Sequence, residues 1–496
     1  MKNNKNLILS MVVLISIYIA SRLISLTLLP IFTDEAIYLR WAQIAKNDAS
    51  WRFISLTDGK QPLFVWLTMV LMKFIKEPLL AGRLVSVFAG LASLIGIFFL
   101  AKEIFKNKRI GFFASLLYLI SPFCLMYDRM ALMDSMVMAF SIWSLYFGIL
   151  LVRTLRFDVA LILGMILGGG ILTKTSGFFN IYLLPITLLF FDGQKKSRQR
   201  RFLKWLGLAF IAVVFSQAYY SVLRLSPWFH MIAQKDTTFI YPLKEWLNHP
   251  LRFFVGNLKG QFDWLITYLT KPIFFLICGA LLVFKEKTKQ KLLLFTWFLV
   301  PFVALALFGK VIYPRFILFM AMPLLVLAAW SIKELFVEIN KKSLLFSCFV
   351  VLLFCLPSLC INSKILFDLA NASIPQSDLN QYINDWPAGG GVKEVVDYLR
   401  EEARTKKIFV GTEGTFGLFP ASLELYLVDD PNVEIKGYWP FEDKVIKGLE
   451  EKAKKIPTFL VLKETQEISQ DWPLELVFKI RKGKGNTFLY FYRIIL

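Results

Sequence analysis

Histidine is nearly absent from this chain: only His230 and His249 occur in 496 residues. They lie too far apart for a helical HExxH-type pair, and no third ligand type accompanies them, so a zinc site is unsupported. Cysteine is also sparse. Cys124, Cys278, Cys348, Cys355 and Cys360 all fall inside apolar runs, without metal-ligand spacing, which argues against a disulfide framework and for packing. Acidic residues are in deficit, 36 Asp and Glu against 57 Lys and Arg, giving a net charge of +21. That surplus does not indicate a nucleic-acid partner. Most of it sits in short loops between apolar runs, where Lys and Arg set membrane topology and attraction to anionic lipid follows second. The glycine triplet at 389–391 precedes a helical pattern but does not follow a strand, so it is a poor dinucleotide fingerprint. No inverted repeat is visible, and the first apolar run lacks a small-x-small cleavage site.

What the chain has is apolar length. It is 56% hydrophobic and 16% aromatic, with a mean hydropathy of +0.57. Runs of roughly twenty apolar residues recur, the mark of a polytopic membrane protein. Lys2 and Lys5 precede the first run, Leu7–Leu29, and place the N-terminus in the cytoplasm. The next run, Leu63–Ile75, is short for a span. Charge parity decides it: only if this run stays at the outer surface do the basic loops 102–109 and 192–201 fall inside. Further spans are expected near 79–101, 110–127, 132–152, 158–173, 177–191, 202–222, 265–284, 291–308, 313–332 and 343–361. This makes about eleven in all, with Lys/Arg-rich cytoplasmic loops at 102–109, 153–157, 192–201, 285–290 and 333–342. Residues 1–361 form the membrane domain. Residues 362–496 form an extracytoplasmic α/β domain, with helices over Val392–Arg404, Ser422–Leu427 and Glu442–Lys454. Its strands are expected at Lys407–Gly411, Asn432–Lys436, Thr458–Lys463, Leu474–Ile480 and Phe488–Ile494.

The unusual polar residues all fall on the outer face. Asp34-Glu35 ends the first span, where it either caps the next helix or serves a site. Lys60 could snorkel or bind a phosphate at headgroup level. Asp128-Arg129 reads as an exposed turn. Asp134, just inside an apolar run, should face a wet cavity or a cation. Lys174 and Arg315 are cations outside, against topology statistics, and Arg suits bidentate grip on phosphate. Tyr313 beside Arg315 reads as an interface aromatic or a hydrogen-bond donor. His230 and His249 belong to the long outer loop 223–264.

The order of Thr33-Asp34-Glu35-Ala36, KQPLFVWL at Lys60–Leu67, AGRLVSVFAGL at Ala81–Leu91, DRMALMD at Asp128–Asp134, LTKTSG at Leu172–Gly177 and YPRFILFMAMP at Tyr313–Pro323 resembles the C-type glycosyltransferase (GT-C) superfamily. The likeness is to the protein-mannosyltransferase and aminoarabinose-transferase-like branch, glycosyltransferase family 39 and kin, over roughly the first two-thirds of the chain. One departure is Lys60-Gln61-Pro62, where the family usually shows Lys-Pro-Pro. The resemblance implies a polytopic α-helical membrane protein of GT-C type that takes a sugar from a polyprenyl-phosphate-linked donor. Transfer is to an acceptor hydroxyl on a protein, lipid or glycan, on the extracytoplasmic face, with inversion. On that reading Asp34 is the base, and Glu35 orients it or shapes the pocket. Lys60, Arg315 and Tyr313 bind the donor phosphate. Asp134 positions sugar or acceptor or holds a cation, Arg129 orients a carboxylate, and Lys174, His230 and His249 complete the pocket. Related enzymes differ in metal dependence, so a divalent cation stays open. The competing readings are a polytopic transporter, disfavoured because the charges cluster at one face rather than the midplane, and a non-catalytic scaffold presenting its soluble tail.

Overall fold

The structure, a computed structural model, describes residues 2–194, 197–339 and 344–496. The side chains of Lys2, Lys5 and Cys348, and residues 195–196 and 340–343 of two expected basic loops, lie outside the described residues. Each expected span falls on an apolar helical stretch. Among the described residues five helices are long and apolar enough to cross a membrane: Pro78–Phe105, Asp134–Thr154, Arg198–Leu225, Thr288–Phe308 and Pro314–Phe336. Two further helix pairs are as long and apolar when taken together but are bent at a break. Lys108–Ile120 and Pro122–Asp128 meet at 62°, and Phe254–Leu269 and Lys271–Val283 at 107°. Proline explains both breaks, since Pro122 and Pro272 stand in the first turn of their second halves, where no amide is needed. Shorter apolar helices occupy Leu7–Leu23, Phe157–Thr173, Thr175–Phe190 and Leu352–Phe367. Leu63–Leu71, at nine residues, is too short to span.

The long loop expected at 223–264 is largely helical. Helices cover Met231–Phe239 and Leu243–Asn248, and Phe254–Leu269 begins well before the predicted span. Backbone bonds from Lys310 N to the Phe239 carbonyl (2.7 Å) and from Tyr241 N to the Phe308 carbonyl (2.8 Å) tie this region to the end of Thr288–Phe308.

The C-terminal region is a five-stranded sheet: β1 (Ile408–Glu413), β2 (Val433–Tyr438), β3 (Thr458–Leu462), β4 (Leu474–Arg481) and β5 (Phe488–Ile494). Its order is β2-β1-β3-β5-β4, with β1 parallel to β2 and β3, and β5 antiparallel to β3 and β4. The helices joining β1 to β2 and β2 to β3, Leu418–Leu427 and Asp443–Ala453, supply the crossovers that parallel pairing requires. Every residue of β1 and β3 is buried because both faces are covered. Val410, Phe459 and Phe491 pack with Val395 and Leu399 of helix Val392–Ala403. Phe409, Leu460 and Leu462 pack with Ile446 and Leu449 on the other side.

This region docks directly on the first polar helix, Thr33–Asn47. Phe32 bridges to Ala388, Thr33 N and Oγ1 both donate to the Pro387 carbonyl (3.1 and 2.8 Å), and Arg40 pairs with Glu424 at 2.8 Å. The glycine triplet serves this contact. A Cβ on Gly389 would stand 2.2 Å from the Ile31 carbonyl oxygen, and Gly391 takes φ +93° to start helix Val392–Ala403.

Candidate active site

Helix Thr33–Asn47 begins immediately after the docking contact, and its first turn carries Asp34 and Glu35. The two carboxylates point into different surroundings. Glu35, at the third position, reaches back to accept from Phe32 N at 3.0 Å, half of a capping box. It is fully buried, meets Arg83 Nε and Nη2 at 2.9 and 2.8 Å, and accepts from Ala131 N at 2.6 Å. Arg83 in turn donates to the carbonyls of Leu26, Leu29 and Pro30. Glu35 is therefore not a wall of any open pocket; it locks the first span's end to helix Pro78–Phe105.

Asp34 faces a cavity of about 350 Å³. The same cavity is lined by Lys60, Asp134, Lys174 and Arg315, which with Asp34 come from five distant segments. Lys235, Asp236, Gln61 and Thr175 add to its polar wall, while Phe179, Phe239, Phe308, Phe316, Phe319 and Met320 are among its apolar residues.

The charges are mostly paired. Arg315 Nη2 meets Asp34 Oδ2 at 2.9 Å, with Arg315 only 7% exposed and Asp34 23%. Lys174 Nζ meets Asp134 Oδ1 at 2.7 Å, and Lys235 Nζ meets Asp58 Oδ1 at 2.6 Å. Lys60 has no carboxylate partner among the described residues. Its ammonium stands 5.0 Å from the Phe239 ring centroid, and burial pushes its pKa below the ordinary lysine value, with Asp34 opposing. A cation so desolvated gains most from an incoming anion.

Arg315 is fixed from several sides. Its guanidinium lies 5.4 Å from the Phe32 ring centroid and 5.0 Å from that of Tyr313, and it donates at 3.5 Å to the Tyr382 hydroxyl. Behind Tyr382 a buried cluster of Tyr127, Tyr268 and Asp378 continues into the segment leading to the sheet. Burial pushes the Asp378 carboxyl up to about 6.

Other sequence-predicted residues lie elsewhere. Tyr313 touches Arg315 by its ring face but is not on the cavity wall. Asp128-Arg129 is not an exposed turn: both residues are buried. Asp128 receives bonds from Tyr18, Arg22, Tyr118 and Ser135. Among the described residues Arg129 pairs with no carboxylate; its Nη atoms donate to the carbonyls of Ser21, Arg22, Ile24 and Ser25. His230 is exposed, and His249 packs between Tyr241 and Phe253; neither lines the cavity. Among the described residues no three His, Cys, Asp or Glu side chains group closely enough to hold a metal ion.

Sequence reading passed over Lys235, Asp236, Gln61 and Thr175. The available signal was a Lys-Asp pair flanked by Met231-Ile232 and Phe239-Ile240, a short amphipathic pattern inside a presumed loop.

Comparison with known proteins agrees with this architecture. Residues 59–220 match the family model described as dolichyl-phosphate-mannose-protein mannosyltransferase. No curated protein sequence matches the chain. Among solved structures, ArnT from Cupriavidus metallidurans in the apo state superposes with a TM-score of 0.59 at 14% identity, over 100% of this chain and 99% of that one. The same protein bound to undecaprenyl phosphate gives 0.61 at 13% identity, over 98% of both chains. The Archaeoglobus fulgidus oligosaccharyltransferase in complex with Zn and sulfate gives 0.54 at 13% identity, over 91% of this chain and 67% of that one.

Proposed function

From its place in the GT-C glycosyltransferase superfamily, which the match over 59–220 and the shared fold support, we propose that this chain is a multi-pass membrane glycosyltransferase. It moves a sugar from a polyprenyl-phosphate-linked donor to an acceptor hydroxyl. The carrying observation is that Asp34, Lys60, Asp134, Lys174 and Arg315 line one cavity that also has an aromatic and aliphatic wall. One small space thus offers carboxylate, cation and lipid-compatible surface together.

The chemistry follows from that set. Lys60 and Arg315 hold the donor phosphate and stabilise the negative charge that grows on it as the anomeric carbon–oxygen bond breaks. Asp34 accepts the proton of the acceptor hydroxyl as its oxygen bonds to the same carbon from the opposite side, which inverts the configuration. Arg315 touches Asp34, so one guanidinium orients the base and binds the leaving group. Tyr313 shapes Arg315 through its ring. Asp134, held by Lys174, positions the polar part of donor or acceptor. The cavity opens on the extracytoplasmic face, and residues 362–496 form a separate domain there, docked on the helix that bears the base, where it helps select the acceptor.

The test is release of radiolabelled sugar from a panel of polyprenyl-phosphate sugars by purified protein and by native membranes. Wild-type release that Asp34→Asn abolishes supports the reading. Full turnover by Asp34→Asn removes Asp34 as base, and silence of the wild type in both settings shifts the reading to a transporter.

A further inference from the structure

We propose that Asp236, aimed by a hydrogen-bond chain from Gln61 through Thr175, grips a hydroxyl of the donor's sugar and so sets which sugar is accepted. The inference rests on the glycosyltransferase reading and assigns one part of its cavity.

Three carboxylates line that cavity. Asp34 and Asp134 are each engaged by a cation, Arg315 and Lys174. Asp236 has no ion pair among the described residues; its one side-chain hydrogen bond there comes from Thr175 Oγ1 to Oδ1 at 3.2 Å. Oδ2 is left for a ligand. Gln61, only 3% exposed, donates from Nε2 to Thr175 Oγ1 at 2.8 Å. That bond occupies a lone pair of the hydroxyl and turns its own hydrogen toward Asp236. The carboxylate is thereby oriented without being neutralised. A proline at position 61 has no such donor, so the Gln in Lys60-Gln61-Pro62 gives this chain a relay that a Lys-Pro-Pro sequence cannot form.

The backbone carrying Asp236 is held as firmly. Gly59, at φ +67°, lies so close to helix Met231–Phe239 that a Cβ there would stand 2.3 Å from the Met231 carbonyl oxygen. Lys235 is tied to Asp58 in the same loop. One loop therefore sets both the phosphate-seeking Lys60 and the position of Asp236.

Charge then sorts the ligand. A phosphate is repelled by Asp236 and drawn to Lys60 and Arg315, and Lys60 is a near neighbour of Asp236 whose charge opposes the burial-driven rise of its pKa, so a phosphate held on Lys60 leaves the sugar attached to it beside Asp236. The group left to meet Asp236 is the neutral, hydroxyl-rich sugar. Burial, which raises the Asp236 pKa, also strengthens the bond its carboxylate makes to a hydroxyl.

The experiment compares affinities of the full chain in detergent for undecaprenyl phosphate and for its glucose, mannose, galactose and 4-amino-4-deoxyarabinose esters. It uses wild type, Asp236→Ala, Asp236→Asn, Gln61→Ala and Gln61→Pro. Expected is a loss of at least about tenfold for the preferred sugar ester in Asp236→Ala, the effect of one hydrogen bond to a charged group. Asp236→Asn and both Gln61 variants should lose less, and none should weaken binding of sugar-free undecaprenyl phosphate, which also shows that they fold. A purely structural role for Gln61 would weaken both ligands alike. Equal affinity of Asp236→Ala and wild type for the sugar ester, or equal loss for ester and sugar-free lipid, overturns the inference and leaves the enzyme reading standing. Dependence on Asp236 for the amino sugar alone reassigns it to an ammonium and overturns the hydroxyl assignment. A wild type that binds neither lipid overturns the enzyme reading and the inference with it.

Discussion

Replacing Glu35 by Gln should destabilise the protein strongly while the same change at its neighbour Asp34 should not. The Glu35 carboxylate accepts four hydrogen bonds, and they are distributed two per oxygen. Oε1 receives Arg83 Nε and Ala131 N, and Oε2 receives Arg83 Nη2 and Phe32 N. Whichever way a Gln amide is turned, its NH₂ faces two N–H donors, and the fully buried Arg83 loses its counter-charge. Breaking a buried pair from one side costs about 3–5 kcal/mol. Asp34 is partly exposed and makes one ion pair, to Arg315, whose guanidinium keeps Tyr382 and three aromatic faces. Its neutralisation should cost less, about 1–2 kcal/mol, because Arg315 keeps those contacts and Asp34 is itself partly exposed. Thermal unfolding of the purified protein in detergent, followed by loss of monodispersity, should show Glu35→Gln lowered by roughly 3–5 °C and Asp34→Asn by roughly 1–2 °C or less. Equal stability of Glu35→Gln and wild type, or equal destabilisation by both variants, would refute the division of labour drawn here.

Arg315→Ala should weaken binding of a polyprenyl-phosphate ligand by about 2–5 kcal/mol, since it removes one partner of a desolvated charge pair; an unchanged affinity counts against phosphate binding there. Gly59→Ala should cost about 1–3 kcal/mol, because the new methyl meets the Met231 carbonyl and the φ of +67° disfavours a side chain. Its donor KM should rise together with the loss of stability, and a silent substitution would show that the loop carrying Asp58, Gly59 and Lys60 yields freely. The buried Lys482, whose ammonium donates to the Trp386 carbonyl at 2.9 Å, is pushed down by burial from 10.5 to about 7. Between these values the unfolded chain binds the proton and the folded domain does not, so stability rises with pH from about 7 to 10.5, by about 5 kcal/mol, and that gain is lost progressively as pH falls from 10.5 to 7. Lys482→Met should flatten that slope in pH-dependent melting; an equal slope in both proteins removes Lys482 as its source.

The legible parts share one property: each is encoded by neighbours in sequence. Every expected helix and strand of the C-terminal region has a counterpart within a few residues, because period and turn chemistry act over a handful of positions. The bends before Pro122 and Pro272 were less visible, since an apolar run reads the same straight or broken. Residues 231–248 read as loop because their helices are too short to establish a period. Asp128-Arg129 misled for a different reason. A charged pair at the end of an apolar run looks solvated until the first span, with Tyr18 and the carbonyls of residues 21–25, closes over it.

Asp34 and Glu35 mark the border between what each level decided. The amino-acid sequence by itself determined that the chain is a polytopic membrane protein with an α/β tail, because apolar length and loop charge are properties of composition along the chain. It also determined that this carboxylate pair and a handful of cations need an explanation. Which carboxylate meets the cavity and which is locked to Arg83 was decided only by tertiary structure, because adjacent positions on a helix point about 100° apart and only packing says what lies in each direction. The recruitment of Asp236 was decided there too, since Gln61, Thr175 and Asp236 are joined by hydrogen bonds that no local pattern encodes.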